Sequence, residues 1–129
     1  MKPLNCLIVD DSSVMRRMVR RTMELSEVPL GQVHEANNGR EALDLLATTP
    51  VDVLFTDINM PVMSGPELLR EMGRRGWNDV YRVIVSTDGS DARRDEVRDL
   101  DVRMYVEKPF APEIIRDALL QVCDDHARR

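Results

Sequence analysis

Five short apolar segments alternate with five longer segments in which apolar residues recur at helical spacing. The short segments have the length of β-strands and the longer ones the length of helices. The predicted strands are residues 4–9, 32–36, 51–56, 80–85 and 102–106. Strands that alternate with helices form a parallel sheet with helices on both faces, because each crossover is right-handed. The sequence therefore predicts a doubly wound α/β domain with a five-stranded parallel sheet and five helices.

Capping and breaking residues delimit the predicted helices. Asp11 and Ser12 are both candidates for the N-cap of the first helix, and residues 64–67 have the spacing of a capping box. The helix predicted at about residues 90–100 contains few apolar positions. We expect that helix to be the least firmly held element of the fold.

Composition restricts the class of protein. The chain has 129 residues, 43% hydrophobic and 32% charged, which is typical of one globular domain. The net charge of −5 argues against nucleic-acid binding, and the chain has no apolar run that would span a membrane and no signal peptide at its start. Cys6 and Cys123 are typical of small apolar core residues. We expect residues 1–129 to form a single cytoplasmic domain without membrane insertion.

Acidic, hydroxyl and amine side chains follow four of the predicted strands, at the point where each strand ends. They are Asp10 and Asp11 after the first strand, Asp57 after the third, Ser86 and Thr87 after the fourth, and Lys108 after the fifth. The carboxyl ends of parallel strands meet at one edge of the sheet, where ligands of such folds bind. The sequence therefore predicts one polar site at this edge.

Three carboxylates that converge on one edge repel one another. At a separation of ~5 Å and an effective dielectric constant of ~20, two carboxylates repel by about 3 kcal/mol. Such a cluster favours a divalent cation or protonation of one carboxyl group. Carboxylate oxygens suit Mg²⁺, which keeps several waters that a phosphate can replace.

These motifs together resemble a known family, and the resemblance covers essentially the whole chain. Residues 7–12, residues 56–61 with the following Ser64 and Gly65, the hydroxyl of Ser86, and residues 108–110 resemble the receiver domain of two-component response regulators. Stand-alone receivers like those of chemotaxis are the most similar class. The resemblance implies the flavodoxin-like strand order 2-1-3-4-5.

The resemblance also implies roles for individual residues. Asp57 would be the phosphoryl acceptor, Lys108 would pair with the phosphoryl oxygens, and Ser86 would hydrogen-bond the phosphate. Thr87 is the alternative to Ser86; we prefer Ser86 because it directly follows the apolar strand and suits the usual spacing to the lysine. Tyr105 would be the aromatic switch residue, which turns inward from an outward rotamer.

The implied metal is Mg²⁺. Asp11 would be a direct ligand, Asp10 would hold the ion through water, and Asp57 and the backbone carbonyl of Asn59 would complete the protein ligands. The bond before Pro109 resembles the family's cis peptide, which aims the lysine inward.

The implied function is a phosphorylation-controlled switch without an output domain. A sensor histidine kinase or a histidine phosphotransfer protein would phosphorylate it. A downstream protein would bind the face formed by the fourth helix, fifth strand and fifth helix, where Arg93, Arg94, Arg98 and Arg103 favour an acidic partner. We expect a monomer or weak dimer that catalyses only its own phosphorylation and dephosphorylation, and the net charge of −5 argues against nucleic acid as a partner.

Two other functions compete with this interpretation. Phosphohydrolases of the haloacid dehalogenase type also use an aspartate at a strand end, Mg²⁺ and a lysine, but they usually have a second aspartate where this chain has Asn59. A flavodoxin-like cofactor binder would need a phosphate loop rich in Ser, Thr and Gly after the first strand, which the sequence lacks.

Three features are particular to this chain. Asp101 stands where the family often has glycine, and aspartate tolerates the left-handed backbone conformation. Asn59 and Asp88 are small polar groups that would admit water, which predicts a short-lived acyl phosphate. Trp77 has no role that the resemblance assigns.

Overall fold

The computed structural model describes residues 2–127. It contains five strands and five helices in strict alternation. They are β1 Leu4–Val9, α1 Ser13–Leu25, β2 Leu30–Ala36, α2 Gly39–Thr48, β3 Val53–Thr56, α3 Gly65–Arg74, β4 Tyr81–Ser86, α4 Asp91–Glu96, β5 Val102–Glu107 and α5 Pro112–Ala127. All strands are parallel and their order is β2-β1-β3-β4-β5. The predicted fold class and strand order are confirmed.

The core lies in two layers, one on each face of the sheet. Neighbouring strand residues alternate between the layers, so that Phe55 packs on one face and Leu54 on the other. Residues of α1 and α5 cover the first face, and residues of α2 and α3 cover the second. All residues of β3 and β4 are buried, because these strands lie inside the sheet and are covered on both sides.

Serine side chains cap three of the helices that lead away from the polar edge, namely α1, α3 and α4. Ser12, rather than Asp11, is the N-cap of α1, because its Oγ accepts a hydrogen bond from the N–H of Met15 at 3.3 Å. Ser64 and Glu67 form the predicted capping box at the start of α3. These caps fix the points at which the chain leaves the sheet.

The fourth helix is shorter than the sequence predicted. It comprises only Asp91–Glu96 and contributes no buried residue, whereas a helix over residues 90–100 was expected. Its six residues include no apolar side chain larger than alanine, so the helix has no apolar stripe to pack against the sheet. Val97, directly after it, is buried and joins the core. Asp101 has the predicted left-handed backbone, with φ of 58°.

The loop between α3 and β4 contains Trp77, which packs against the core layer on the α2 and α3 face. The guanidinium of Arg82 donates a hydrogen bond to the Trp77 carbonyl at 2.6 Å and another to the Leu100 carbonyl at 3.2 Å. Arg82 is buried, and desolvation lowers its pKa. Trp77 and Arg82 therefore join this loop to the turn before β5.

Cys6 and Cys123 are free, and Cys6 is buried in β1. Burial, with the nearby Asp52 carboxylate, raises the pKa of the Cys6 thiol to about 12. Within residues 2–127, no helix has both the length and the apolarity needed to traverse a bilayer.

Candidate functional site

Backbone hydrogen bonds between neighbouring strand ends bring the polar residues together. The N–H of Asp57 donates to the carbonyl of Val9 at 3.0 Å, directly beyond the β1–β3 pairing. The N–H of Lys108 donates to the carbonyl of Ser86 at 2.8 Å, directly beyond the β4–β5 pairing. The polar side chains after β1, β3, β4 and β5 therefore stand at one edge, as the sequence predicted.

Three carboxylates form a cluster at this edge. Asp10, Asp11 and Asp57 each offer an oxygen that lies within 4.8 Å of those of the other two. Asp10 is buried, Asp57 is half-buried and Asp11 is exposed. The N–H of Ser12 donates to Asp10 at 2.9 Å, and the N–H of Ile58 donates to Asp57 at 2.7 Å. The cluster is thus held by backbone donors on its inner side and is open to solvent at Asp11.

Lys108 reaches into the carboxylate cluster from the end of β5. Its Nζ atom lies 2.8 Å from Asp10 Oδ2 and 3.4 Å from Asp57 Oδ2. The lysine side chain is only 7% exposed, so its positive charge lies within the site rather than in solvent. The peptide bond between Lys108 and Pro109 is cis, as expected.

Gly65 lies against the backbone of the candidate phosphoacceptor. Its N–H donates to the carbonyl of Ile58 at 2.9 Å. A Cβ atom at this position would lie 2.3 Å from the carbonyl oxygen of Asp57. Only glycine allows α3 to begin so close to the end of β3.

The two adjacent hydroxyl residues after β4 have different surroundings. Ser86 is fully buried, and its Oγ accepts a hydrogen bond from the N–H of Asp88 at 3.2 Å. Thr87 is exposed and borders an apolar cavity of about 240 Å³ that Lys108 and Phe110 also line. Ser86 therefore couples the edge of the sheet to the β4–α4 loop, whereas Thr87 faces the α1 side.

Tyr105 is not turned outward, which differs from the sequence-based expectation. Its hydroxyl donates to the carbonyl of Asp88, and its ring packs against the core layer that includes Val97. The guanidinium of Arg94 lies over the ring, with Cζ 4.3 Å from the centroid, and also pairs with Glu107 at 2.8 Å. Burial, together with the negative charge of Asp88, raises the pKa of Tyr105.

Arg93 is a site residue that the sequence reasoning missed. Its Nη2 donates to Asn59 Oδ1 at 2.7 Å, and its Nε lies 3.4 Å from Asp88 Oδ2. Hydrogen bonds from Ser90, and then the neighbouring Arg93, lower the pKa of Asp88. We expected Arg93 on the partner-binding face, and Asn59 and Asp88 as small polar groups that admit and orient water, whereas in the structure Arg93 binds both. No spacing rule connects Arg93 to Asn59, which lies 34 residues away in the sequence.

Comparison with known proteins agrees with this geometry. Residues 6–120 match the family model described as the response regulator receiver domain. The chain belongs to this family. It is therefore a receiver domain, and its function is that of a phosphorylation-controlled signalling switch.

Similar receivers come from several bacteria. A chemotaxis protein CheY homolog of Campylobacter jejuni is 37% identical over 121 residues, which are 92% of each chain. The chemotaxis protein CheY1 of Helicobacter pylori is 34% identical, over 90% of this chain and 94% of that protein. The chemotaxis response regulator CheY4 of Vibrio cholerae, a solved structure, superposes with a TM-score of 0.80 at 30% identity, over 94% of this chain and 99% of that one.

Neither competing function gains support. The family match favours a receiver over a phosphohydrolase of the haloacid dehalogenase type. The position where such an enzyme usually carries its second aspartate is Asn59, and the Asn59 amide oxygen is already bound by Arg93.

Proposed function

We propose that Asp57 of this receiver accepts a phosphoryl group from the phosphohistidine of a sensor histidine kinase or a histidine phosphotransfer protein. The observation that carries the proposal is that Asp57 shares a carboxylate cluster with Asp10 and Asp11 and lies within ion-pair distance of the ammonium of Lys108. Asp10 also contacts Lys108, but Asp10 is buried, whereas Asp57 is half-buried and directly follows the central strand β3, where a phosphodonor can reach it.

The transfer is a displacement at phosphorus. A carboxylate oxygen of Asp57 forms a bond to phosphorus, and the phosphorus–nitrogen bond to the donor histidine breaks, with its electron pair passing to the imidazole. Lys108, which lies 3.4 Å from Asp57, offsets negative charge on the transferred group. Ser86 would supply a hydroxyl to the bound phosphoryl group, with Thr87 as the alternative.

The residues of the cluster fit Mg²⁺. Three carboxylates face a single ammonium, so negative charge remains to attract a cation, and all the side-chain donors are hard oxygens. Asp11, Asp57 and the Asn59 carbonyl would hold the ion directly. Asp10 would act through water, since it already binds Lys108 and the N–H of Ser12. The bound ion would supply positive charge to the phosphoryl oxygens.

Phosphorylation would then change the 4-5-5 face, which we define as α4 (91–96), β5 (102–107) and α5 (112–127). A phosphoryl group adds about 1.5 to 2 negative charges and three acceptor oxygens. Movement of Ser86 toward these oxygens would release the N–H of Asp88, whose carbonyl holds Tyr105. Because α4 buries none of its residues, it is free to shift with this loop.

The 4-5-5 face suggests the chemistry of the downstream protein. A cavity of about 270 Å³ opens between α4 and β5, where apolar side chains alternate with basic ones. Its lining residues are Arg94, Val97, Arg98, Val102, Arg103, Met104 and Tyr105. We infer an acidic partner with apolar anchor residues. We expect the receiver to act in the cytoplasm as a monomer or weak dimer that catalyses only its own phosphorylation and dephosphorylation.

Labelling by a small phosphodonor tests the proposal. We expect the wild type and Asp124→Asn, a control at an exposed position of α5, to gain one phosphoryl group from acetyl phosphate and Mg²⁺ in intact mass spectra. Asp57→Asn should gain none, although its thermal unfolding should still show a folded protein. Stoichiometric labelling of Asp57→Asn would overturn the assignment. Turnover of small phosphomonoesters by the wild type would favour the phosphohydrolase.

A further inference from the structure

One arginine of α4 binds both loops that flank Asp57. Arg93 donates to the amide oxygen of Asn59 in the β3–α3 loop at 2.7 Å, and it pairs with the carboxylate of Asp88 in the β4–α4 loop at 3.4 Å. A third contact, to Glu96 at 2.8 Å, fixes the guanidinium from its own helix. The planar fork of arginine suits several acceptors at once, which a lysine does not match.

The loss of a phosphoryl group from Asp57 requires a water molecule at this edge. The water oxygen attacks phosphorus while the phosphorus–oxygen bond to Asp57 breaks, and the bonding electron pair returns to the carboxylate. The water gives up a proton, and inorganic phosphate leaves. A hydrogen-bond acceptor beside the phosphorus assists the attack because it orients the water, and a carboxylate acceptor can also receive the proton that the water gives up.

Asn59 and Asp88 carry the candidate acceptors. They lie two residues beyond Asp57 and Ser86, respectively. In the structure, the guanidinium of Arg93 already binds the amide oxygen of Asn59 and a carboxylate oxygen of Asp88. Hydrogen bonds from Ser90, and then the hydrogen bond and positive charge of Arg93, lower the pKa of Asp88, which disfavours proton acceptance by its carboxylate. An attacking water would compete with the guanidinium for these acceptor oxygens.

We propose that Arg93 is a positioning residue that prolongs the life of the phosphorylated receiver by withholding Asn59 and Asp88 from the attacking water. The proposal rests on the proposed function, in that Asp57 must carry the phosphoryl group. It reverses the short lifetime that small polar groups at these two positions predicted from sequence. It also gives α4 a second role, because the helix that borders the proposed partner-binding cavity carries the arginine that binds Asn59 and Asp88.

The rate of phosphoryl loss tests the proposal directly. Each protein is labelled with acetyl phosphate and Mg²⁺, freed of donor by rapid desalting, and followed by intact mass spectrometry over time. We expect Arg93→Ala to lose its phosphoryl group faster by roughly tenfold, which is less than the ~10²–10⁴-fold that a positioned acid or base contributes, because Arg93 hinders the acceptors without removing them. Arg93→Lys should be intermediate, because it keeps the charge but not the fork. Arg74→Ala is the matched control, since Arg74 lies in α3, outside the 4-5-5 face, and its side chain pairs only with Glu71 among the described residues.

A double-mutant cycle separates positioning from a general effect on structure. In a background of Asn59→Ala and Asp88→Ala, the Arg93→Ala change should no longer alter the rate, because the groups that it releases are gone. An Arg93→Ala lifetime equal to or longer than that of the wild type would overturn the proposal and leave the proposed function intact. An undiminished Arg93 effect in the background that lacks both acceptors would also overturn it. Absence of label on the wild type itself would overturn the proposed function, and this proposal with it.

Discussion

The ammonium of Lys108 lies 2.8 Å from a carboxylate oxygen of Asp10, although 98 residues separate them in the sequence. The same ammonium lies 3.4 Å from Asp57, so one cation serves two of the three clustered acids. The positive charge of Lys108 therefore offsets part of the negative charge of the carboxylate cluster, which attracts a metal ion. The same positive charge supports transfer of a phosphoryl group to Asp57. Lys108 thus weakens metal binding but assists phosphorylation, and substitution of Lys108 should reveal both effects.

Replacement of Lys108 by methionine should tighten Mg²⁺ binding and slow phosphorylation. We expect the affinity to rise by roughly threefold to tenfold, because removal of a like charge changes the interaction by about 1 kcal/mol in this partly solvated site. Calorimetry measures the first effect, and labelling by acetyl phosphate measures the second. Lys2→Met, at the chain's other lysine, should leave both unchanged. Weaker Mg²⁺ binding by Lys108→Met would contradict this account of the site.

Removal of the Asp11 carboxylate should weaken Mg²⁺ binding by roughly tenfold or more, since a direct oxygen ligand is lost. Asp11 is exposed, and no side-chain contact of Asp11 is among those of the described residues, so Asp11→Ala should leave the fold intact. Asp124→Ala changes the net charge equally at a distant, exposed position and should bind Mg²⁺ as the wild type does. Equal affinities for the two variants in calorimetry would show that Asp11 is not a ligand.

A methyl group on Gly65 should disturb the phosphoacceptor through the backbone. The added Cβ would lie 2.3 Å from the Asp57 carbonyl oxygen, so β3 and α3 must move apart. We expect Gly65→Ala to lower the free energy of unfolding by about 1–3 kcal/mol and to slow labelling of Asp57. Gly73→Ala is the matched control, because its added Cβ would meet no atom within 4 Å apart from its chain neighbours and the backbone of its own helix, and it should stabilise α3 by about 0.5–1 kcal/mol. Denaturant unfolding measures both changes, and equal stabilities would contradict the close approach at Gly65.

The switch should be visible in hydrogen exchange. We expect beryllofluoride, a mimic of the phosphoryl group, to alter protection across residues 88–106, because Ser86, Asp88 and Tyr105 form a continuous chain of hydrogen bonds to the 4-5-5 face. Ser86→Ala removes the first link and should respond more weakly, whereas Thr87→Ala should respond like the wild type. Changes confined to the loop after Asp57, or equal in all three proteins, would rule out this route.

The sheet and the positions of the acids were predictable because each depends on local sequence. Apolar runs define the strands, and a residue that directly follows a parallel strand lies at the carboxyl edge of the sheet. The arrangement around Arg93 was not predictable, since it joins positions 34 residues apart through the far end of a flexible side chain. The burial of Arg82 was not predictable for a different reason. Arginine is expected at the surface, yet here backbone carbonyls on two loops satisfy part of its buried guanidinium.

The orientation of Tyr105 also depends on contacts that a strand pattern does not encode. Alternation along β5 places the residue on one side of the sheet but does not select its rotamer. The carbonyl of Asp88 and the guanidinium of Arg94 select it, and these lie in the β4–α4 loop and in α4 itself, respectively. Loop conformation therefore decides the resting state of the proposed switch.

Because α4 has no buried side chain, its residues can specify a partner without also holding the domain together. Residues that specify a partner must be free to vary, whereas residues that hold a domain together must not. Since the six residues of α4 contribute little to the free energy of unfolding, most substitutions there should leave the domain folded. A receiver of this form can be redirected to a new partner by changes in one short helix, provided that Arg93 is kept.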